Sequence, residues 1–224
     1  MASKQLEKRQ KKAGTGSRPK RVAKVEAPYH HGSLHEALLK AAETILERDG
    51  LQGLTLRAAA REAGVSHAAP THHFGDMSGL LSELAAAGFR KFGAQLGAAV
   101  AAGTSASDRM DAMGEAYVAF AREHPSMFLL MFRSERLDHE RPALREAMQN
   151  ASGMLMRGAS ERRGDAAQTA PPLALLADIV RAWSMVHGFA MLMIDHRLDQ
   201  ILAHLPEGTD ANDLLRAMIR GKSA

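Results

Sequence analysis

One stretch constrains the fold of this 224-residue chain more than any other: residues 54–74. It carries two short runs of helix-favouring residues joined through Gly64-Val65-Ser66. Ala59, Ala60 and Ala63 are small, so the first run can lie close against the second. Gly64 can take a positive φ at no steric cost, which a sharp turn between helices needs. Val65 and Phe74 are apolar plugs for a small core. The spacing predicts a helix-turn-helix, a unit that lays its second helix in the major groove of DNA. A generic helical bundle has no need for such a turn.

The chemistry of the remaining positions agrees. Thr55 and Ser66 are placed to cap the two helices, and capped N-termini aim backbone amides at phosphates. Thr55, Arg57, His67, Ala68, Thr71, His72 and His73 are left for the surface. Arg57 can make a bidentate contact to guanine, and His67 and Ala68 open the helix that reaches base edges. Ala68 has no polar side-chain atom and can touch only a thymine methyl. His72 and His73 suit phosphate contacts, or are ordinary surface histidines. His67, His72 and His73 lack a one-face pairing with a nearby carboxylate, so they are not read as a metal site.

The rest of the chain reads as helices. Ser33 to Glu36 has the form of a capping box, and Gly50 is placed to end the helix that follows. Asp76 can cap a long fourth helix through Leu80, Leu84, Phe89, Phe92 and Leu96. Met110 to Phe120, Met127 to Phe132 and a run from Pro142 to about Arg163 follow. A long helix with few charges runs from Leu173 to about Arg197, and apolarity of that kind predicts cover on more than one side. A last helix spans Asn212 to Ile219. No strand-like alternation is present. The fold class expected is all-α, with about nine helices.

Charge divides the chain unevenly. Residues 1–28 hold nine Lys/Arg and two acids, while the remainder holds 20 Lys/Arg and 23 acids. A basic arm of this kind, here without apolar periodicity and expected to be disordered away from DNA, meets a polyanion or serves as a solubilising tail. There is no cysteine, which excludes disulfides, thiol nucleophiles and cysteine-ligated zinc. There is no leader pattern and no uninterrupted apolar run of spanning length, so a cytoplasmic protein without membrane partners is expected. A phosphate-cradling glycine loop, a His-Glu-x-x-His pair and a Gly-x-Ser-x-Gly elbow are all missing. No enzyme activity, cofactor or metal is expected.

Tyr29-His30-His31-Gly32, the run from Ala63 to Pro70, and the long helix opening after Phe74-Gly75-Asp76 resemble the N-terminal domain of the TetR/AcrR family of transcriptional regulators. Trp183-x-x-x-His187-Gly188 is similar to the signature of a WHG-type C-terminal domain in that family. The resemblance implies an all-helical homodimer. A basic arm (1–28) would precede a DNA-binding head (29–76) and a ligand-binding and dimerisation domain (77–224). It implies that the positions of Thr55, Arg57, His67, Ala68, Thr71, His72 and His73 face DNA. Three departures stand out. Thr71 replaces a usual aromatic, Met77 replaces a frequent lysine, and Pro70 replaces a frequent leucine, whose amide would have made a helical bond. The first two remove phosphate anchors, which the arm could replace.

In the second half, Met110, Met113, Tyr117, Phe128, Met131, Trp183 and His187 form an adaptable apolar set, either a plain core or the wall of a ligand cavity. His187 needs a polar partner there. Gly153 and Gly188 allow close helix approach or fit around a ligand. One head reads few base pairs, so two related by symmetry and one turn apart (~34–36 Å) would read a near-palindrome. The expected partners are double-stranded DNA, a second copy of the chain and a small-molecule effector. The function expected is a DNA-binding repressor released by an apolar ligand. A regulator without inducer, an activator, and more remotely a helical carrier or enzyme are the alternatives.

Overall fold

The structure, a computed structural model, describes residues 31–133, 135–164 and 171–221. The basic arm lies outside the described residues. Ten helices and no strand are found among those described: α1 (His31–Gly53), α2 (Leu56–Glu62), α3 (Ala69–Phe74), α4 (Met77–Ala102), α5 (Ala106–Glu123), α6 (Pro125–Arg133), α7 (Pro142–Arg163), α8 (Leu173–Ile194), α9 (Asp199–Leu202) and α10 (Ala211–Arg220). The tenth, α9, is one turn long, too short to show a hydrophobic period in the sequence.

The head is α1 to α3. Helix α1 begins at His31, so Ser33 lies inside it rather than capping it. Gly50 takes φ +69° and breaks the helical path, as its place in the sequence predicts. Leu38, Ala42, Ile45 and Leu46 of α1 are buried, together with Leu54, Ala58, Ala59 and Phe74. Helix α6 packs on α1, and α4 leads from the head into the body.

The body is built on α4, which packs against α5, α6 and α7. At Gly79 an added Cβ would lie 2.0 Å from the Phe74 carbonyl, so only glycine lets α4 start so close to the end of α3. Phe92 of α4 stands edge-on to Tyr117 and Phe120 of α5, with ring centroids 5.1 and 5.2 Å apart. Such edge-to-face pairs are favoured by the ring quadrupoles beyond the area they bury.

Helix α8 departs from expectation. It packs on α5 and α7 through one side, burying Leu175, Val186, Phe189 and Ala190. Its other side is open: Leu173 is 82% exposed, Val180 57% and Trp183 44%, with Leu176 and Leu192 also exposed. Within one chain, then, this helix is covered on one side only. By length and composition it could cross a membrane, although Asp178 and Arg181 interrupt its apolar run. Both of these charges are paired, Asp178 with Arg163 and Arg181 alike (2.6 Å each).

Candidate nucleic-acid interface and ligand cavity

Local chemistry sets the helix-turn-helix. The Thr55 hydroxyl accepts from the Ala58 amide at 3.0 Å and starts α2. At the other end Gly64 takes φ +67°. There the Val65 amide donates to the Ala60 carbonyl (3.0 Å) and the Gly64 amide to that of Arg61 (3.2 Å). This pair of bonds is the Schellman arrangement, which satisfies carbonyls that a helix end leaves without partners. Ser66 does not cap α3 through its side chain. Its carbonyl instead accepts from the Ala69 amide (3.0 Å), and a further turn intervenes before α3 begins. Pro70 falls in the first turn of α3. No helical bond is lost there, because first-turn amides have no partner within the helix. The brevity of α3, six residues, matches expectation.

Thr55, Arg57, His67, Ala68 and Thr71 converge on one open recess of about 820 Å³. Leu51, Gln52, Leu54, Leu56 and Met77 also line it. Among the described residues no carboxylate lines it, while two guanidinium groups do. One is Arg57. The other is Arg136, from the connection between α6 and α7, which reasoning from the sequence missed. Nothing in the local sequence around Arg136 points to the head. Ser66 and His72 are exposed outside this recess. His73 is half-buried instead, its ring 6.0 Å from that of His35 on α1, with Phe74 filling the space beside them.

The body holds a second, partly open space of about 510 Å³, a size suited to a small molecule, with Val180 and Trp183 of the open side of α8 among its lining residues. Phe89, Phe92, Met110, Met113, Tyr117, Met131, Phe132 and Trp183 form much of its wall. Five of the seven candidate ligand residues therefore line it. Phe128 and His187 do not. Phe128 is fully buried behind the wall, packed against Tyr117 and Phe132. His187 supports the wall through a hydrogen bond of 2.8 Å between its Nδ1 and the Tyr117 hydroxyl. The Trp183 Nε1 donates to the same hydroxyl at 3.2 Å. All three polar groups are satisfied when the hydroxyl accepts from the indole and donates to Nδ1. Burial pushes the Tyr117 phenol well above its ordinary pKa, with the indole hydrogen bond pulling weakly the other way, so it stays a neutral donor.

Neither of the two glycines singled out in the sequence makes a close helix approach within the chain. A Cβ on Gly188 would meet nothing, and one on Gly153 would meet only the tip of Arg157. The close approaches are elsewhere. A Cβ on Gly88 would stand 2.7 Å from the sulfurs of Met127 and Met131, and one on Gly114 would stand 3.0 Å from Ile219. Among the described residues, no group of three His, Asp or Glu is arranged to hold a metal ion.

Comparison with known proteins agrees with this architecture. Residues 38–84 match the model for bacterial regulatory proteins of the tetR family. Residues 110–221 match that for the tetracyclin repressor-like C-terminal domain. No curated protein matches the chain. Among solved structures, a protein of unknown function from Rhodococcus sp. RHA1 is 36% identical, with a TM-score of 0.71, covering 88% of this chain and 96% of its own. The transcriptional regulator FadR from Bacillus subtilis, solved with stearoyl-CoA, shares the fold at 12% identity and a TM-score of 0.60, covering 83% of this chain and 96% of its own. A TetR family transcription regulator from Marinobacter aquaeolei VT8 does so at 16% identity and 0.55, covering 84% and 94%. With both halves matched, each by a model of the same family, the chain belongs to the TetR family of DNA-binding transcriptional regulators.

Proposed function

We propose that this regulator is a homodimeric repressor that leaves its operator when a small apolar ligand enters the body. The observation that carries the reading is the convergence of Thr55, Arg57, His67, Ala68 and Thr71 on one exposed recess that no carboxylate lines among the described residues. In this reading Arg57 contacts a guanine edge and His67 and Ala68 meet neighbouring bases. Thr55, Thr71 and His72 take phosphates, with Ser66 and His73 at the margin. The head is residues 29–76 and the effector and pairing domain is 77–224.

Pairing is supported by the open side of α8. Leu173, Leu176, Val180 and Trp183 recur at helical spacing, and Met218 of α10 is exposed as well. An apolar stripe of this kind is the sort of surface a second copy covers, as a four-helix bundle. The ligand reading is supported by the largely apolar wall of the body cavity, where His139, Ser152 and Arg162 are the exceptions and the methionines can adapt to an irregular guest. A ligand releases DNA only if it binds better to a form whose heads are wrongly spaced.

The test is selection of duplexes from a random library by the purified full chain. The expected product is an inverted repeat with half-sites about one helical turn apart. Failure to enrich any sequence would defeat the reading. Apolar compounds that raise the melting temperature are then added to the complex. Release of the duplex supports induction, and tight binding without release counts against it.

A further inference from the structure

We propose that Arg136, which belongs to the body and not to the helix-turn-helix, is a phosphate contact of the DNA interface. The inference rests on the reading of the recess as that interface. Arg136 is exposed and lines the recess together with Arg57, His67, Thr71 and Met77. At the start of α4 the recess has only the uncharged Met77, and Thr71 offers a short hydroxyl. Arg57 is occupied with a base edge in the proposed geometry. Arg136 is then the one other guanidinium among the lining residues, and its planar fork matches phosphate oxygens.

The connection that carries Arg136 is firmly held. The Ser78 hydroxyl, in the first turn of α4, donates to the Arg136 carbonyl at 2.8 Å. Two residues on, the Asp138 amide donates to the Ser82 hydroxyl at 2.8 Å, and that hydroxyl donates in turn to the Ser78 carbonyl at 2.7 Å. Ser82 is fully buried, so this polar chain is shielded from competing water. Further along, Arg141 pairs with Glu83 at 2.8 Å, both groups largely buried, and reaches the carbonyl of Phe74 at the end of α3. The backbone from 136 to 141 is thus fastened along the opening turns of α4, beside the recess. A phosphate contact gains from such a frame, because less conformational freedom is lost when DNA binds. The same connection leaves α6, whose Met131 and Phe132 line the body cavity.

The experiment uses the full chain, a duplex enriched by that chain from a random library, and a shuffled duplex of equal composition. Affinity is measured by anisotropy from 50 to 200 mM KCl. R136Q is expected to weaken both duplexes by similar factors and to reduce the salt slope by about one per head. Over this salt range that slope corresponds to roughly three- to fourfold in affinity per contact. R136K is expected to keep the slope. R145Q, which removes an exposed charge on α7 outside the recess, is the control for net charge and is expected to change neither quantity. S78A, which cuts the tie to the Arg136 carbonyl, is expected to weaken binding less than R136Q. Unchanged affinity and slope in R136Q, with lost sequence discrimination in R57A, would overturn this proposal and leave the interface reading standing. Intact discrimination in R57A would overturn the interface reading itself.

Discussion

In the head the chain turns where single residues make it turn. Gly50 and Gly64 sit at positive φ, Thr55 accepts from the Ala58 amide, and Asp76 accepts from the Gly79 amide at 2.8 Å to open α4. In the body the shape depends on side chains far apart in sequence. Phe92 meets Tyr117 and Phe120, and Tyr117 meets Trp183 and His187. Information about the two halves is thus stored over different distances along the chain. Head geometry is written in caps and turn residues within four positions of one another. The body has local caps as well, Ser105 with Asp108 and Asp210 with Asp213, but its geometry depends in addition on the fit of rings across helices.

That contrast can be broken by substitution. Phe120 is 1% exposed, packs on Phe92, and does not line the cavity. F120A is expected to cost about 3–5 kcal/mol of stability in urea unfolding, the range for removing a buried aromatic ring. A cost no greater than that of losing one cap would erase the distinction between the halves. Y117F tests the polar part of the body. It leaves the Trp183 Nε1–H and His187 Nδ1 without their partner, at an expected cost of about 1–3 kcal/mol. A neutral result would mean that the shared hydroxyl has no structural role. The smallest effect belongs to the head: T55A is expected to cost about 1 kcal/mol, with faster hydrogen exchange at the Ala58 amide. An unchanged exchange rate there would show that the start of α2 does not depend on its cap.

The same contrast explains what the sequence disclosed. Gly50, Thr55, Gly64 and Asp76 were legible because each acts on its own backbone or on an amide a few residues away. The all-helical class followed from periodicity, as did the bounds of α7, whose Pro142 start is a local signal. Ser66 misled because α3 begins three residues further on, and only the path of the turn decides between the two. The ligand set was legible by residue type but not by position. Phe128 and Met131 look alike as apolar residues of α6, yet one is buried behind the wall and the other lines it. Arg136 was invisible because its relation to Thr71 and Met77 is set by two serines on α4, not by its neighbours in the chain. The cover expected for α8 on more than one side is not found within the chain, because Leu173, Val180 and Trp183 face outward.

The shared hydroxyl of Tyr117 has one more consequence. Trp183 is the single tryptophan of the chain, and it stands in the cavity wall with its Nε1 held by that hydroxyl. All indole fluorescence therefore originates at the cavity and none at the head. A guest that displaces water from the ring or disturbs this hydrogen bond would shift or quench the emission. The same ring is 44% exposed on the open side of α8, so its emission would respond both to a guest in the cavity and to a second copy seated on that face.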